Sequence, residues 1–449
     1  MSRPTYALAV SFLYTLVSVA LGATTLHCSG SALPADSAPT DSGSALPNTD
    51  ASTTQPMPGP DDAAQPDAGS SPGLPLDDAG TTLNADADVD ASTSALDAGQ
   101  TPPTDAGDAT TPPTPGKVHV SGTTLLRDGA PWTPHGLNMI AFVAPPAAQS
   151  GVFLQAYQHY SPAELSSLRT WGADTVRFQV SQPGLDPQNA LYTQTFLDQV
   201  HAAVLDARAA GLNVLVSIQD EAQSGEQTPM QLPNAATLRV WSELAPLFND
   251  DTGILYELMN EPEPGPSAAN WTDWQNAMNA VIAEVRATGS TNVVVADGLS
   301  YATSLNGAPS LTDSAHEVVY AVHPYFHSAD AETSSAWDTK WGTFAATSPV
   351  LVTEWTTVAN AAQSGSTYFC DSTTAGAALA LLDYLAAKKI GMIAFAYDFS
   401  GNVFGSAAYG FPAKSSSFAG DAGCGSAGYG PGTVLQDWFR TGAVPTTLE

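Results

Sequence analysis

The chain has 449 residues, a formal net charge of −31, and 44 acidic side chains against 13 basic ones. This excess of negative charge argues against nucleic acid or an anionic membrane surface as a partner and is compatible with a neutral substrate. The length and the 43% hydrophobic content allow at least one domain with a large core.

Residues 1–28 have the features of an export signal. Arg3 places a positive charge near the amino terminus. The apolar stretch at residues 7–21 is too short to span a bilayer as a mature helix. Residues 20–22 offer a cleavage site of small residues, whereas Cys28 offers a site for lipid attachment. We therefore expect an exported protein, either secreted or held at the cell surface, with lipidation of Cys28 left open.

Residues 29–116 differ sharply in composition from the rest of the chain. They contain 14 aspartates but no lysine, arginine, glutamate or aromatic residue. Such a segment cannot bury enough apolar surface to offset its chain entropy, so we predict a long disordered tether. Residues 117–449 are the predicted catalytic domain. Removing the tether aspartates and Arg3 from the total charge leaves this domain with a net charge of −18.

Hydrophobic periodicity predicts the elements of the domain in chain order. Residues 118–120 and 125–127, with a turn at Asp128-Gly129, predict a hairpin that closes the bottom of a barrel. Eight strands are predicted near residues 136–138, 175–179, 214–218, 254–259, 292–296, 318–322, 350–353 and 392–396. Helical patterns alternate with them at 161–172, up to 211, around 238–247, and at 271–288, 334–345, 374–388 and 434–440. The alternation predicts an α/β fold, a (β/α)₈ TIM barrel.

Local signals support two of these helices. Ser161-Pro162-Ala163-Glu164 has the pattern of a capping box with proline in the first helical position. In the helix that ends before Gly211, one face carries Phe196, Val200, Val204 and Ala207. The next predicted helix holds Leu238, Trp241, Leu244 and Leu247.

Two of the predicted strands end in a glutamate. Asn260-Glu261-Pro262 follows the apolar run at 254–259, and Glu354-Trp355 follows the run at 350–353. Barrel enzymes place their chemistry at the carboxyl ends of the strands. A pair of carboxyl groups, one acting as an acid and one as a nucleophile, is what retaining glycoside hydrolysis requires.

Four motifs in this order resemble glycoside hydrolase family 5, the cellulase-like members of clan A. They are Trp171-Gly172-Ala173-Asp174-Thr175-Val176-Arg177, Asn260-Glu261-Pro262, His323-Pro324-Tyr325 and Thr353-Glu354-Trp355. The resemblance covers nearly all of residues 117–449. It implies that Glu261 is the acid/base and Glu354 the nucleophile, with their carboxyl groups about 5 to 5.5 Å apart.

The resemblance also implies roles for the residues around the two glutamates. Asn260 would bind the sugar 2-hydroxyl, and Arg177 would orient Glu354 and keep it ionised. Tyr325 would donate a hydrogen bond to Glu354, and His323 would bind either the sugar or the acid/base. No cofactor or metal is predicted, because the chain has no histidine pair with metal-ligand spacing.

Two strand ends depart from the family pattern. Family members commonly have a histidine near the end of the third strand, where this chain has Gln219-Asp220-Glu221. They commonly end the eighth strand in a tryptophan, where this chain has Tyr397-Asp398. We predict that Trp355 and Tyr397 stack on sugar rings. Trp132, Phe142 and Phe326 are weaker candidates for the lining of a glycan cleft.

The sequence therefore predicts an exported retaining glycoside hydrolase that acts on a β-linked polysaccharide or oligosaccharide, as an endo-β-1,4-glucanase or mannanase. Two alternatives stay open: an exo-acting glycosidase or transglycosylase that acts on the cell's own glycans, and a non-catalytic carbohydrate-binding barrel. We expect a monomer with no nucleic-acid partner. Cys370 and Cys424 could form a disulfide outside the cytosol, which would contribute roughly 4 kcal/mol.

Overall fold

A computed structural model describes residues 116–226, 228–325, 333–356, 372–399 and 431–445. The predicted signal, nearly all of the predicted tether, the three cysteines and Phe326 lie outside these residues. Within the described part of the chain, every helix is too short or too polar to cross a membrane.

The strands form a closed parallel barrel, as the sequence predicted. Each strand pairs with the next along the chain, and the last pairs with the first. Most strand positions are buried, as expected where helices cover the outside of the sheet and side chains fill its inside. The barrel strands are β4 (His135–Phe142), β5 (Thr175–Ser181), β6 (Asn213–Gln219), β7 (Ile254–Glu257), β8 (Val294–Asp297), β9 (Val318–Val322), β10 (Val350–Trp355) and β11 (Met392–Ala394).

A small antiparallel sheet closes the amino-terminal end of the barrel, and it confirms the predicted hairpin. It consists of β1 (Val118–Ser121), β2 (Thr124–Arg127) and β3 (Ala130–Pro131), the last a strand that the sequence did not predict. Trp132 packs here among inward-facing strand residues, and its indole N–H donates to Asp174 at 2.7 Å. The suggestion that Trp132 lines a glycan cleft is therefore wrong, because it lies at the end of the barrel opposite the two strand-end glutamates.

The described helices surround the barrel. They are α1 (Gly151–His159), α2 (Pro162–Trp171), α3 (Gln182–Leu185), α4 (Gln194–Ala209), α5 (Ala235–Leu244), α6 (Ala268–Ala287), α7 (Ser334–Trp337), α8 (Ser372–Lys388) and α9 (Pro431–Thr441). The sequence did not predict α1 and α3. The predicted helix at 334–345 is instead α7 followed by a π-helical turn at Asp338–Gly342 and a 3₁₀ turn at Phe344–Ala346.

Local contacts confirm most of the helix signals. The Ser161 main-chain N–H donates to the Glu164 carboxylate at 3.2 Å, and Gly172, with φ of 125°, ends α2. The apolar face predicted for α4 is buried. Leu247 is an exception, because α5 ends at Leu244 and a 3₁₀ turn at Ala245–Phe248 leaves Leu247 37% exposed.

The main hydrophobic core lies between the strands and the helices. Phe142 is 2% exposed there, and its ring meets those of Tyr160 and Phe178 edge-on. This packing overturns its proposed place in the glycan cleft. Polar side chains lie at the carboxyl ends of β5, β7, β8, β9 and β10.

Candidate active site

Arg177 on β5 is the centre of a buried polar network. Its side chain is fully buried, and its Nε and Nη2 donate to the two oxygens of Glu257 at 2.7 and 2.8 Å. A bidentate pair of this kind fixes the guanidinium in one plane. Glu257 lies on β7, which β6 separates from β5 in the barrel, and it was not among the predicted site residues. Its only sequence signal is a charge within an otherwise apolar strand.

The same guanidinium also contacts residues of the two motifs that contain the strand-end glutamates. It donates to Asn260 Oδ1 at 2.6 Å and to Glu354 Oε2 at 2.9 Å. It also donates to Asn138 Oδ1 at 2.6 Å and to Ser217 Oγ at 2.9 Å. The predicted contact between Arg177 and Glu354 is present. However, the bidentate partner of Arg177 is Glu257, so Arg177 links the two carboxylates.

Glu354 sits at the end of β10 with hydrogen-bond donors on both carboxylate oxygens. Oε2 accepts from Arg177 and from Gln179 Nε2, each at 2.9 Å, and Oε1 accepts from the Tyr325 hydroxyl at 3.0 Å. Burial raises the pKa of Glu354, while Arg177 and the Tyr325 hydrogen bond oppose that rise. Three donors that favour the charged form suit a carboxylate that must act while ionised. Gln179 is an addition to the predicted set.

Glu261 follows β7 in a backbone conformation that is rare for a residue with a side chain, with φ of 50°. Its N–H donates to Asp297 Oδ2 at 2.9 Å, and its Oε1 lies 2.9 Å from His323 Nδ1. The side chain is 18% exposed, so it can meet a substrate. Burial raises the pKa of Glu261 to about 7, with Glu257 and Glu263 adding to the effect and Arg177 opposing it. Near neutral pH this carboxyl group therefore carries a proton for much of the time.

The two glutamates face each other. Oxygen atoms of Glu261 and Glu354 and a ring nitrogen of His323 all lie within 4.8 Å of one another. Retaining glycosidases hold their two carboxyl groups about 5 to 5.5 Å apart, whereas inverting ones need about 6.5 to 9.5 Å to admit a water molecule. The approach of Glu261 and Glu354 is closer than the separation that inverting glycosidases need.

His323 lies beside Glu261 and is fully buried. Its Nε2 is 2.9 Å from Thr353 Oγ1, and its Nδ1 faces Glu261. Burial lowers the pKa of His323 to about 4, so the ring is neutral near neutral pH. Of the two roles left open by the sequence, the structure favours contact with Glu261, since the His323 ring is fully buried.

Asn260 is held from both sides. Besides accepting from Arg177, its amide donates to Glu221 Oε1 at 2.5 Å. Glu221 belongs to the strand-end run that departs from the family pattern, and it places a third carboxyl group beside the pair. Burial raises the pKa of Glu221 well above its usual range, and the negative charges of Glu261 and Glu354 add to this.

The two aromatic residues predicted to stack on sugar lie in the hydrophobic core. Trp355 and Tyr397 are each 2% exposed, and the Tyr397 hydroxyl donates to the Glu164 carbonyl at 3.3 Å. Trp355 packs in the core between the strands and the helices, whereas the adjacent Glu354 reaches the polar network around Arg177. Neither ring presents a face to the barrel mouth, and the predicted stacking has no support in the structure.

Two groups of described residues bring atoms of metal-binding type within 4.8 Å of one another. One comprises Glu257, Asp297 and His323, and the other Glu261, His323 and Glu354. Arg177 donates to Glu257 and Glu354, so a positive charge already lies beside each group and disfavours a cation there. The absence of a metal cofactor stays a prediction.

Comparison with known proteins gives the family. The cellulase profile, glycosyl hydrolase family 5, matches residues 146–401, which is more than half of the chain. The chain belongs to glycosyl hydrolase family 5. Its predicted resemblance to that family is thereby confirmed.

The individual proteins that resemble this chain share low sequence identity with it. A manganese-dependent endoglucanase, Eg5A, of Phanerodontia chrysosporium is 24% identical over 186 residues, which is 38% of this chain and 47% of the relative. The chain thus spans about half the length of that curated relative. Two solved structures share the fold. The β-glucanase SdGluc5_26A of Saccharophagus degradans with cellotetraose is 19% identical, with a TM-score of 0.53 over 68% of this chain and 93% of that one. The catalytic domain of endoglucanase Cel5A of Thermobifida fusca is 21% identical, with a TM-score of 0.52 over 73% and 98%.

Proposed function

We propose that this protein is a retaining glycoside hydrolase that cleaves a β-1,4-linked glucan, with Glu261 as acid/base and Glu354 as nucleophile. The observation that carries the proposal is that two nearby carboxyl groups have unequal environments. One oxygen of Glu261 and one oxygen of Glu354 lie within 4.8 Å of each other. Glu261 has a pKa of about 7 and reaches solvent, whereas Glu354 accepts three hydrogen bonds. Carboxyl groups in such different environments suit the separate roles of proton donor and nucleophile.

The reaction follows from these positions. Glu261 gives its proton to the glycosidic oxygen while a Glu354 oxygen attacks the anomeric carbon, so the bond to the leaving sugar breaks as the glycosyl–enzyme bond forms. Glu261, now ionised, takes a proton from water, and the water oxygen displaces Glu354 at the same carbon. Two displacements at one carbon retain its configuration. The Asn260 amide, fixed by Arg177 and Glu221, would bind the 2-hydroxyl group.

The choice of substrate rests on family membership and on the relatives. The curated relative is an endoglucanase, and the solved Saccharophagus degradans structure is a β-glucanase that holds cellotetraose. We therefore favour endo-acting cleavage of β-glucan, and mannan is an alternative for the assay to decide. The glutamate pair with its supporting network argues against a purely carbohydrate-binding barrel.

A substrate panel tests the proposal. The purified chain is incubated with carboxymethylcellulose, mixed-linkage β-glucan and galactomannan, and both viscosity and new reducing ends are followed. An endo-glucanase lowers the viscosity of the glucans early, when few reducing ends have formed. Glu261→Gln and Glu354→Gln should abolish this activity, and Glu243→Gln, on the exposed face of α5, should retain it. Activity that survives in Glu354→Gln would refute the assignment, and exclusive release of monosaccharide would favour the exo-acting alternative.

We also propose that the protein is exported, which rests on the sequence of residues 1–28. Mass spectrometry of the mature amino terminus tests this. Cleavage near residue 22 indicates secretion, an acylated Cys28 indicates a lipid anchor, and an intact Met1 contradicts export.

A further inference from the structure

Asp297, at the end of β8, supports the backbone of the proposed acid/base. It is fully buried, and its Oδ2 accepts the Glu261 main-chain N–H at 2.9 Å. Glu261 has φ of 50°, a conformation that persists only where its surroundings hold it. The hydrogen bond to Asp297 is one such restraint, and it acts on the residue whose position decides where the proton is delivered.

The surroundings of the second oxygen of Asp297 bear on its protonation state. Asp297 Oδ1 is buried, and within the described part of the chain it meets no hydrogen-bond donor. One oxygen of Asp297, one oxygen of Glu257 and a ring nitrogen of His323 all lie within 4.8 Å of one another. Two ionised carboxylates this close repel each other, and neither can donate to the other. A hydrogen bond between them requires a proton on one of the two.

The charges nearby decide where that proton lies. Both Glu257 oxygens accept from Arg177 at 2.7 and 2.8 Å, a bidentate contact that favours the ionised form of Glu257. No arginine or lysine among the described residues pairs with Asp297, and His323 Nε2, 3.7 Å from its Oδ2, belongs to a neutral ring. The proton therefore resides on Asp297.

We propose that Asp297 is a protonated positioning residue, which donates a hydrogen bond to Glu257 and accepts one from the Glu261 main chain. It thereby fixes the acid/base without placing a further negative charge beside it. The inference rests on the proposed role of Glu261.

The electrostatic surroundings agree with this assignment. Burial raises the pKa of Asp297 well above its usual range, and the negative charge of Glu257 adds to the effect. Burial also opposes ionisation of Glu257, but Arg177 outweighs it and lowers the pKa of Glu257. The titratable and charged groups that face Asp297 or Glu261 are Arg177, Glu221, Glu257, Glu263, Tyr301, His323, Tyr325 and Glu354.

The decisive variant is Asp297→Asn, compared by its pH profile with the unmodified protein. An asparagine amide can donate to Glu257 while its oxygen accepts from Glu261, so it reproduces a protonated aspartate. We expect kcat within about threefold of the original and a basic limb of kcat/KM within about 0.3 pH unit of it. If Asp297 were ionised, its loss would lower the pKa of Glu261 and move the basic limb down by about one pH unit or more. That shift would overturn the proposal.

Asp297→Ala tests the positioning role, because it removes both hydrogen bonds. We expect kcat to fall roughly 10- to 100-fold, with Asp297→Asn restoring most of it. An unchanged kcat in Asp297→Ala would overturn the role. Asp313→Asn is the matched control: Asp313 is also buried and accepts main-chain N–H groups, but it pairs with Arg286 away from the site. It should leave the pH profile unchanged.

A readout that does not depend on activity separates this proposal from the proposed function. The infrared difference spectrum at neutral pH between the unmodified protein and Asp297→Asn should contain the carbonyl stretch of a protonated carboxylic acid. Loss of only a carboxylate band would overturn the protonation state, whatever the substrate panel shows. A protein that shows the acid band but cleaves no glycan would refute the proposed function alone.

Discussion

Replacing Arg177 with methionine removes the cation that links the buried carboxylates of the site. The arginine side chain is fully buried and pairs with Glu257, which is fully buried too, and with Glu354, whose side chain is 10% exposed. Methionine fills a similar volume but leaves the Glu257 charge without compensation. Removal of one partner from a buried ion pair costs about 3 to 5 kcal/mol of unfolding free energy.

A control on the small antiparallel sheet separates the effect of burial from the effect of charge. Arg127 pairs with Asp174 at 3.1 Å, but its side chain is 33% exposed. Arg127→Met should therefore cost only about 0 to 1 kcal/mol. Urea denaturation of the full chain at pH 7, followed by far-ultraviolet circular dichroism, measures both variants under the same conditions.

A double-mutant cycle tests the cause. Glu257→Gln removes the charge that Arg177→Met leaves unpaired, so the double variant should be less destabilised than the sum of the two single variants by at least about 1 kcal/mol. A cost for Arg177→Met no larger than that of the Arg127 control, or additive effects in the cycle, would refute the view that Arg177 compensates the buried charge of Glu257.

Three further predictions concern the chemistry of the site. The kcat/KM should fall above about pH 7 as Glu261 loses its proton, and should also fall at low pH as Glu354 becomes protonated, at a pH above that of an ordinary glutamate; a basic limb only near pH 10, where tyrosine ionises, would contradict this. Tyr325→Phe removes one donor from Glu354 and should lower kcat about tenfold with little change in melting temperature. An unchanged kcat would show that this hydrogen bond does not contribute to catalysis. Dialysis against EDTA should leave the proposed glucanase activity intact, and restoration of lost activity by Mn²⁺ would show that a metal takes part.

The sequence alone was sufficient to predict the barrel and the positions of two glutamates at the ends of its strands. Buried parallel strands appear as continuous apolar runs, and Glu261 and Glu354 are polar residues that interrupt such runs at their carboxyl ends. Their contacts with Arg177, Tyr325 and His323 followed from the family motifs. The helices α2 and α4 were predicted from their capping and periodicity.

The supporting residues could not be predicted in this way. Glu257 and Asp297 come close because β7 and β8 are adjacent and Glu257 is paired with Val295, two residues before Asp297. Strand register of this kind is not visible in one sequence. The same limit explains Trp355, since a strand buried on both faces shows no alternation of polar and apolar residues from which to tell inward from outward. Leu247 was misplaced because the apolar spacing continues past the point where the helix tightens into a 3₁₀ turn.

The central claim is that Glu354 is the nucleophile and Glu261 the acid/base, and azide rescue tests it most directly. Glu354→Gly leaves space for azide, which should restore turnover of an aryl β-cellobioside and give a glycosyl azide of inverted anomeric configuration, as read by NMR. With Glu261→Ala, azide should instead attack the glycosyl–enzyme and give the retained product. The opposite pairing of variant and product would reverse the roles, and full activity of either variant without azide would contradict the account.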